Sequence, residues 1–232
     1  MKSKMFSFVT ETWNPIAMHC PHDCYFGGCW AEALKRGRLK NTAKYKDLSE
    51  PKLIEKELHL NQHNHWKKGD YVFVEDMGDL FAFNVPDEFI NQVLLTIWDN
   101  PDAKFLLLTK NPKRMVAWQK HIPENCLCGC TIETTMPLKA ISKAPATCNR
   151  YKAMKKLDHP HKMICIEPII NFNSVQFLAW IEEIKPELVV IGYDNYHCSL
   201  PEPSLAKTQK FIAALRYEHF NVQTKTLREK ES

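Results

Sequence analysis

The chain has 232 residues, with 31 Lys and Arg against 27 Asp and Glu, a net charge of +4. At 27.0 kDa it can bury one sizeable core without a disulfide scaffold, and no apolar run approaches the ~20 residues of a membrane span. No block of like charge demands nucleic acid, although basic residues gather in Lys35-Arg36-Gly37-Arg38-Leu39-Lys40 and between Lys152 and Lys162.

Met1-Lys2-Ser3-Lys4 leads into only a short apolar stretch, which is not the pattern of a signal peptide and points to a cytoplasmic, reducing setting. The nine cysteines are then expected as ligands or as small buried hydrophobes rather than as bridges. Phe6-Ser7-Phe8-Val9-Thr10 reads as a first strand. Cys20, Cys24 and Cys29 follow within ten residues, in a loop that ends where Trp30-Ala31-Glu32-Ala33-Leu34 opens a helix. Three thiols this close in a turn suit a metal centre, because thiolates must converge on one point and no regular element aims them that way. The polar stretch at about 40–68 reads as a surface insertion, and its His59, His63 and His65 as solvated side chains.

Tyr71–Val74, Phe105–Leu108, Leu127–Ile132, Met163–Ile166 and Leu188–Ile191 are continuous apolar runs, the mark of strands buried on both faces in a parallel sheet. Helical spacing separates them, at Phe89 to Ile97, Arg114 to Lys120 and Val175 to Ile184. A last helix from Ser204 to Tyr217 precedes a final strand at Val222 to Leu227. The expected fold is α/β: a single domain over 1–232, forming a partial (β/α)6-type TIM barrel of parallel strands. Every strand exits into polar residues, Glu75 and Asp79, Thr109 and Lys110, Glu133, Glu167, then Tyr193, Asp194 and Asn195, at the end where such folds collect functional groups. Cys126, Cys128 and Cys130 share one face of a strand in a straight row that cannot converge on a metal, so they are expected to pack. Cys148 and Cys165 are expected to pack as well, with Cys198 as a thiol in a polar loop.

The ligand count narrows the metal. A structural zinc site takes four protein ligands, whereas three thiolates on a four-iron cluster leave one iron open to a cofactor or substrate. The loop spaces its cysteines three and then four residues apart, and Tyr25, Phe26 or Trp30 can supply an apolar wall beside Gly27 and Gly28.

Several motifs carry a resemblance over most of the chain. Thr12-Trp13-Asn14-Pro15 with the stretch Cys20 to Glu32, Asp79-Leu80-Phe81 through Ile90, Leu108-Thr109-Lys110-Asn111-Pro112-Lys113-Arg114-Met115 and Ile166-Glu167-Pro168 resemble the phage Gp37/Gp68-like proteins, the DUF5131 family. Their cysteine pattern places them near radical S-adenosylmethionine enzymes. The familiar radical-enzyme loop has a second gap of two residues and an aromatic before the third cysteine, where this chain has four residues and Gly28. The resemblance implies a 4Fe-4S cluster on Cys20, Cys24 and Cys29 that passes an electron to S-adenosylmethionine, releasing a 5′-deoxyadenosyl radical that abstracts hydrogen from substrate. It implies that Gly78 and Asp79 meet the cofactor's ammonium, that Glu133 with Thr131 reaches its ribose, and that Thr109 and Lys110 meet its carboxylate or an anionic substrate. Glu167 and Arg150 become cofactor or substrate contacts. A ferredoxin or flavodoxin donor and a macromolecular substrate, nucleic acid or protein, are the implied partners. Two other readings stand beside it: a non-catalytic binding module stapled by zinc or iron and sulfide, and a barrel hydrolase using Glu133 and Glu167 as acid and base.

Overall fold

Continuous β-branched and aromatic runs become strands because a parallel sheet with both faces covered leaves no polar side for them to show. The computed structural model describes residues 5–58, 66–137 and 141–229; His59, His63, His65 and the Phe26 side chain lie outside the described residues. In chain order the elements are β1 (Glu11–Trp13), β2 (Ile16–Ala17), α1 (Trp30–Arg36), β3 (Lys52–Leu53), α2 (Glu55–Leu58), β4 (Tyr71–Val74), α3 (Asp87–Trp98), β5 (Lys104–Thr109), α4 (Pro112–Trp118), β6 (Cys126–Thr131), α5 (Thr147–Lys156), β7 (Lys162–Ile166), α6 (Ser174–Ile184), β8 (Leu188–Ile191), α7 (Leu205–Tyr217) and β9 (Val222–Thr224).

Seven of the strands form one sheet in the order β1-β4-β5-β6-β7-β8-β9, and every pairing is parallel. Among the described residues β1 and β9 do not pair, so the curved sheet stays open at one seam, as the partial barrel requires. The helices start where local chemistry dictates. Pro112 stands at the first turn of α4, Asn173 accepts the Gln176 N–H at 3.0 Å to cap α6, and Ser204 accepts the Lys207 N–H at 3.2 Å to cap α7.

Alternation along the strands divides the core. Val72, Val74, Phe105, Leu107, Ile164, Ile166, Val189 and Ile191 point to the helices, and Cys126, Cys128 and Cys130 lie fully buried among them as the packing residues their spacing predicts. Phe73, Leu106, Leu127, Met163, Cys165, Leu188 and Val190 fill the inner face. Gly129 belongs to that inner row, where an added Cβ would stand 2.9 Å from Leu108 Cδ1 and 3.0 Å from Met163 Cε, so only glycine leaves these side chains their room.

Four boundaries depart from the sequence pattern. Phe6 to Val9 is a turn rather than a strand, and its Phe6 and Val9 plug the inner face while the first strand starts at Glu11. Aromatic residues bury well in either role, which is why the pattern misleads there. The final strand is Val222–Thr224, shorter than Val222 to Leu227. The short helix starts at Pro112 and gives way to a 3-10 turn at Gln119–His121. The polar stretch after Lys40 is not wholly at the surface: β3 pairs antiparallel with β2, Leu48 is buried, and Trp66 packs edge-on against Trp13 at 4.9 Å and Phe105 at 5.1 Å. Among the described residues no helix is long and apolar enough to cross a membrane.

Candidate metal and cofactor centre

Because the strands are parallel, all their exits meet at one end, and there they surround a cavity of about 520 Å³. Cys20, Cys24 and Cys29 line it together with Gly78, Asp79, Thr109, Lys110 and Glu167, so the expected site residues converge on one space. Glu133 and Arg150 stand just behind this wall, buried, and touch it through Lys110 and Tyr25.

The cysteine loop is wound by left-handed backbone at Asp23, Tyr25 and Gly27, φ 43°, 58° and 85°. Two braces hold it. At its start the Cys20 N–H donates to Glu32 Oε1 at 2.9 Å; Glu32 also meets His19 Nδ1 at 2.9 Å and pairs with Lys35 on the next turn of α1. The Lys35 ammonium is fully buried and donates to the Met18 and Met77 carbonyls at 2.7 and 3.0 Å, which ties α1 to the exit of β4. At the middle of the loop the Tyr25 hydroxyl donates to Glu133 Oε1 at 2.8 Å, and Lys110 lies over its ring at 4.4 Å while hydrogen bonding to its hydroxyl. Tyr25 is therefore more than an apolar wall: it bolts the loop to the ends of β5 and β6.

Glu133 is the hub of a buried ionic network. It pairs with Lys110 and, at 2.8 Å, with Arg150, whose side chain also donates to the Thr131 carbonyl at 2.9 Å. Burial alone would raise its carboxyl; Arg150 and Lys110 outweigh that and hold it at about 2. Paired with both Arg150 and Lys110, this carboxylate is held ionised, which disfavours it as the proton donor of a hydrolytic pair.

Asp79 is equally committed. It accepts from His22 Nε2 at 2.7 Å and from the Phe81 N–H, Thr109 hydroxyl and Lys110 N–H at 2.9 Å each. Burial opposes its ionisation, and these donors, His22 foremost, carry it below the usual carboxylate range. Glu75 is the reverse. Its Oε1 accepts the Ile16 N–H at 2.6 Å, but its Oε2 is buried without a hydrogen-bond partner. Burial pushes this carboxyl up to about 8. Glu75 lines the cavity beside Gly78, where an added Cβ would stand 3.2 Å from that oxygen and 2.5 Å from Met18 Cε. The sequence shows Glu75 as a strand exit but carries no sign that one of its oxygens stays unpaired.

The far wall is built from later strands. Glu167 accepts from Lys225 Nζ at 2.6 Å; burial raises the Glu167 carboxyl and Lys225 only partly offsets it. Lys225 also lies over the Phe6 ring at 5.2 Å. Asp194 winds the loop after β8 by accepting the Tyr196 and Cys198 N–H groups at 2.9 and 2.5 Å, which sets Cys198 Sγ against the Gly28 carbonyl at 3.7 Å.

Cys20 and Cys24 are thiols raised by burial, and Cys24 Sγ rests 3.6 Å from the Ser142 hydroxyl. Among the described residues no three His, Cys, Asp or Glu side chains are gathered in metal-ligand geometry. Three thiols border one cavity, the number a four-iron cluster with one open iron takes; the nearby imidazole, His22, is engaged by Asp79, and a fourth thiol, Cys198, stands outside the cavity lining against Gly28. The unpartnered Glu75 oxygen beside the small Gly78 fits the ammonium of an amino-acid cofactor.

The fold is similar to two solved structures of Streptococcus suis SuiB. One, bound to precursor peptide SuiA, has a TM-score of 0.59, and the other a TM-score of 0.52. Each is 12% identical to this chain and is matched over 95% of this chain and 50% of SuiB, so the chain spans about half the length of these neighbours. Comparison with the curated proteins finds no match. The family model described as "Protein of unknown function (DUF5131)" matches residues 3–192, and the chain therefore belongs to the DUF5131 family.

Proposed function

We propose that this chain is a radical S-adenosylmethionine enzyme acting on a macromolecule. The observation that carries the reading is that three thiols, Cys20, Cys24 and Cys29, line the same cavity as the unpartnered buried oxygen of Glu75. The three cysteines would hold a 4Fe-4S cluster, and Glu75 with Gly78 would take the ammonium of S-adenosylmethionine at the iron left open. When bound, this pair supplies one-electron reductive cleavage of the cofactor and hydrogen abstraction.

The chain's own residues orient and shield. Glu32 fixes the Cys20 backbone and Tyr25 fixes the middle of the loop, so the mount is held from α1 on one side and from β5 and β6 on the other. Asp79, with its donors already inside the protein, acts as a positioning residue for His22, Thr109 and Lys110. Thr109 and Lys110 border the cofactor end of the cavity, and Glu133 keeps Lys110 in place beside Tyr25. Glu167 and Lys225 face the substrate end. A one-electron donor of the ferredoxin or flavodoxin class is required by this chemistry. The fold similarity to SuiB, solved with a precursor peptide, supports a macromolecular substrate.

The test is product formation. Anaerobically reconstituted protein given dithionite and S-adenosylmethionine is expected to release 5′-deoxyadenosine and methionine, and variants with any one of the three cysteines replaced by Ala are expected to release none. Release unaffected by all three replacements contradicts the reading.

A further inference from the structure

A second hollow, of about 460 Å³, lies between β9 and the turn at Met5 to Ser7, which crosses the open seam and donates from Ser7 Oγ to Gln223 Oε1 at 3.4 Å. Met5, Phe6 and Ser7 form one side, and Gln223, Thr224 and Lys225 the other. Met5, Phe6 and Lys225 also line the cysteine cavity, so the seam leads from the edge of β9 into the site.

The register of β9 fixes what that edge offers. Val189 N–H donates to the Asn221 carbonyl at 2.9 Å and Lys225 N–H to the Ile191 carbonyl at 2.8 Å, so residues 221, 223 and 225 turn their backbone groups to β8. Val222 and Thr224 therefore turn theirs to the seam. The Val222 carbonyl meets Arg216 at 3.5 Å, whereas the Thr224 backbone faces an edge with which, among the described residues, no strand pairs. An unpaired strand edge is a template for another extended chain.

Charge decides between macromolecules. Among the described residues Lys225 is the one charged side chain lining the seam, and Glu167 already neutralises it. Nor does the seam offer, among the described residues, a row of free cations for the phosphates of a nucleic acid, on which such binding depends. A polypeptide needs none, because its own N–H and C=O groups complete the edge.

We propose that the edge of β9 binds an extended polypeptide by strand addition and passes one of its side chains through the seam towards the cysteine cavity. This names the substrate class for the activity proposed above and rests on that reading for the chemistry alone, since the binding itself needs no cluster.

Panning a random peptide library against the full chain tests it. Enriched peptides are expected to bind roughly tenfold more weakly to Thr224→Pro, which removes the Thr224 edge N–H, and unchanged to Thr224→Val, which keeps it. Independently of any variant's folding, amide exchange in the wild-type segment Val222–Thr224 is expected to slow when an enriched peptide is added. Peptides that bind Thr224→Pro at full strength, exchange that slows elsewhere but not in β9, no enrichment at all, or a single-stranded RNA pool that binds where peptides do not would each overturn the proposal. Peptide binding by a protein that anaerobic reconstitution fails to load with a cluster sinks the radical chemistry and leaves the seam intact; a loaded cluster with no peptide binding does the opposite.

Discussion

The two walls of the cavity are built on opposite principles. The wall made by the cysteine loop and the exits of β4 to β6 is a closed network: Asp79 accepts four hydrogen bonds, Glu133 holds Lys110, Arg150 and Tyr25, and Glu32 holds Cys20. Among the described residues the wall made by β7 to β9 carries the ion pair of Glu167 with Lys225, a second of Glu202 with Arg228 behind Asp194, and an unpaired strand edge. A saturated polar network fixes side chains in one arrangement, which suits a cofactor of constant shape. A sparse wall with an open edge accommodates a partner that brings its own hydrogen bonds. Two buried oxygens, Glu75 Oε2 and Asn84 Oδ1, lack partners at the exit of β4, and Glu75, which lines the cavity, is the one to which the proposed function assigns a ligand group.

The comparison breaks first at its most buried pair. Arg150→Met strips Glu133 of a partner inside the protein, and the expected loss of stability is about 3–5 kcal/mol, read from urea unfolding. Lys225→Met on the other wall is expected to cost under about 1 kcal/mol, because its partner is more exposed. Equal losses would erase the distinction between the walls.

Glu75→Gln tests that assignment. It keeps the size of the side chain but cannot give up a proton to become the carboxylate partner of an ammonium, as the Glu75 acid would on binding, so S-adenosylmethionine should bind about tenfold to a hundredfold more weakly by calorimetry, about 1.5–3 kcal/mol. Glu167→Gln, on the sparse wall, should leave that affinity unchanged.

The same residue sets a pH slope. Burial holds the folded Glu75 carboxyl at about 8 against 4.5 for an ordinary one. Between those values the folded state keeps a proton that the unfolded state has lost. Its contribution is thus fully present below pH 4.5 and is lost as pH rises through 8. Urea midpoints of Glu75→Gln should fall less steeply over that window than those of the wild type, and parallel curves would show that the carboxyl is already ionised. At the second brace of the loop, Tyr25→Phe keeps the ring's packing and loses the hydroxyl's hydrogen bonds to two charged groups, Glu133 and Lys110, about 1.5–3 kcal/mol of stability.

Much of this was legible in the residues. Apolar runs such as Leu188–Ile191 allow little but a strand buried on both faces, and parallel strands place all their exits together, so the cysteine loop and Asp79, Lys110 and Glu167 meet without any knowledge of contacts. The straight row Cys126, Cys128 and Cys130 packs as its period dictates. What the sequence hides is pairing. Lys35 reads as a surface lysine in a basic cluster, yet its ammonium is buried under two carbonyls supplied by loops far away in the chain. Asp79 and Glu75 are both acids after the same strand, and only the three-dimensional placement of His22, Thr109 and Lys110 saturates one while leaving an oxygen of the other unpaired. Phe6 misleads because an aromatic that plugs the inner face and one that forms a strand look alike in sequence.

The most direct test of the cysteine mount is the metal it holds. Anaerobic reconstitution with iron and sulfide should give a brown protein with about four irons and four sulfides per chain, and Cys20→Ala, Cys24→Ala and Cys29→Ala should each abolish it. A wild-type protein that instead holds a single zinc and stays colourless after reconstitution would contradict the account.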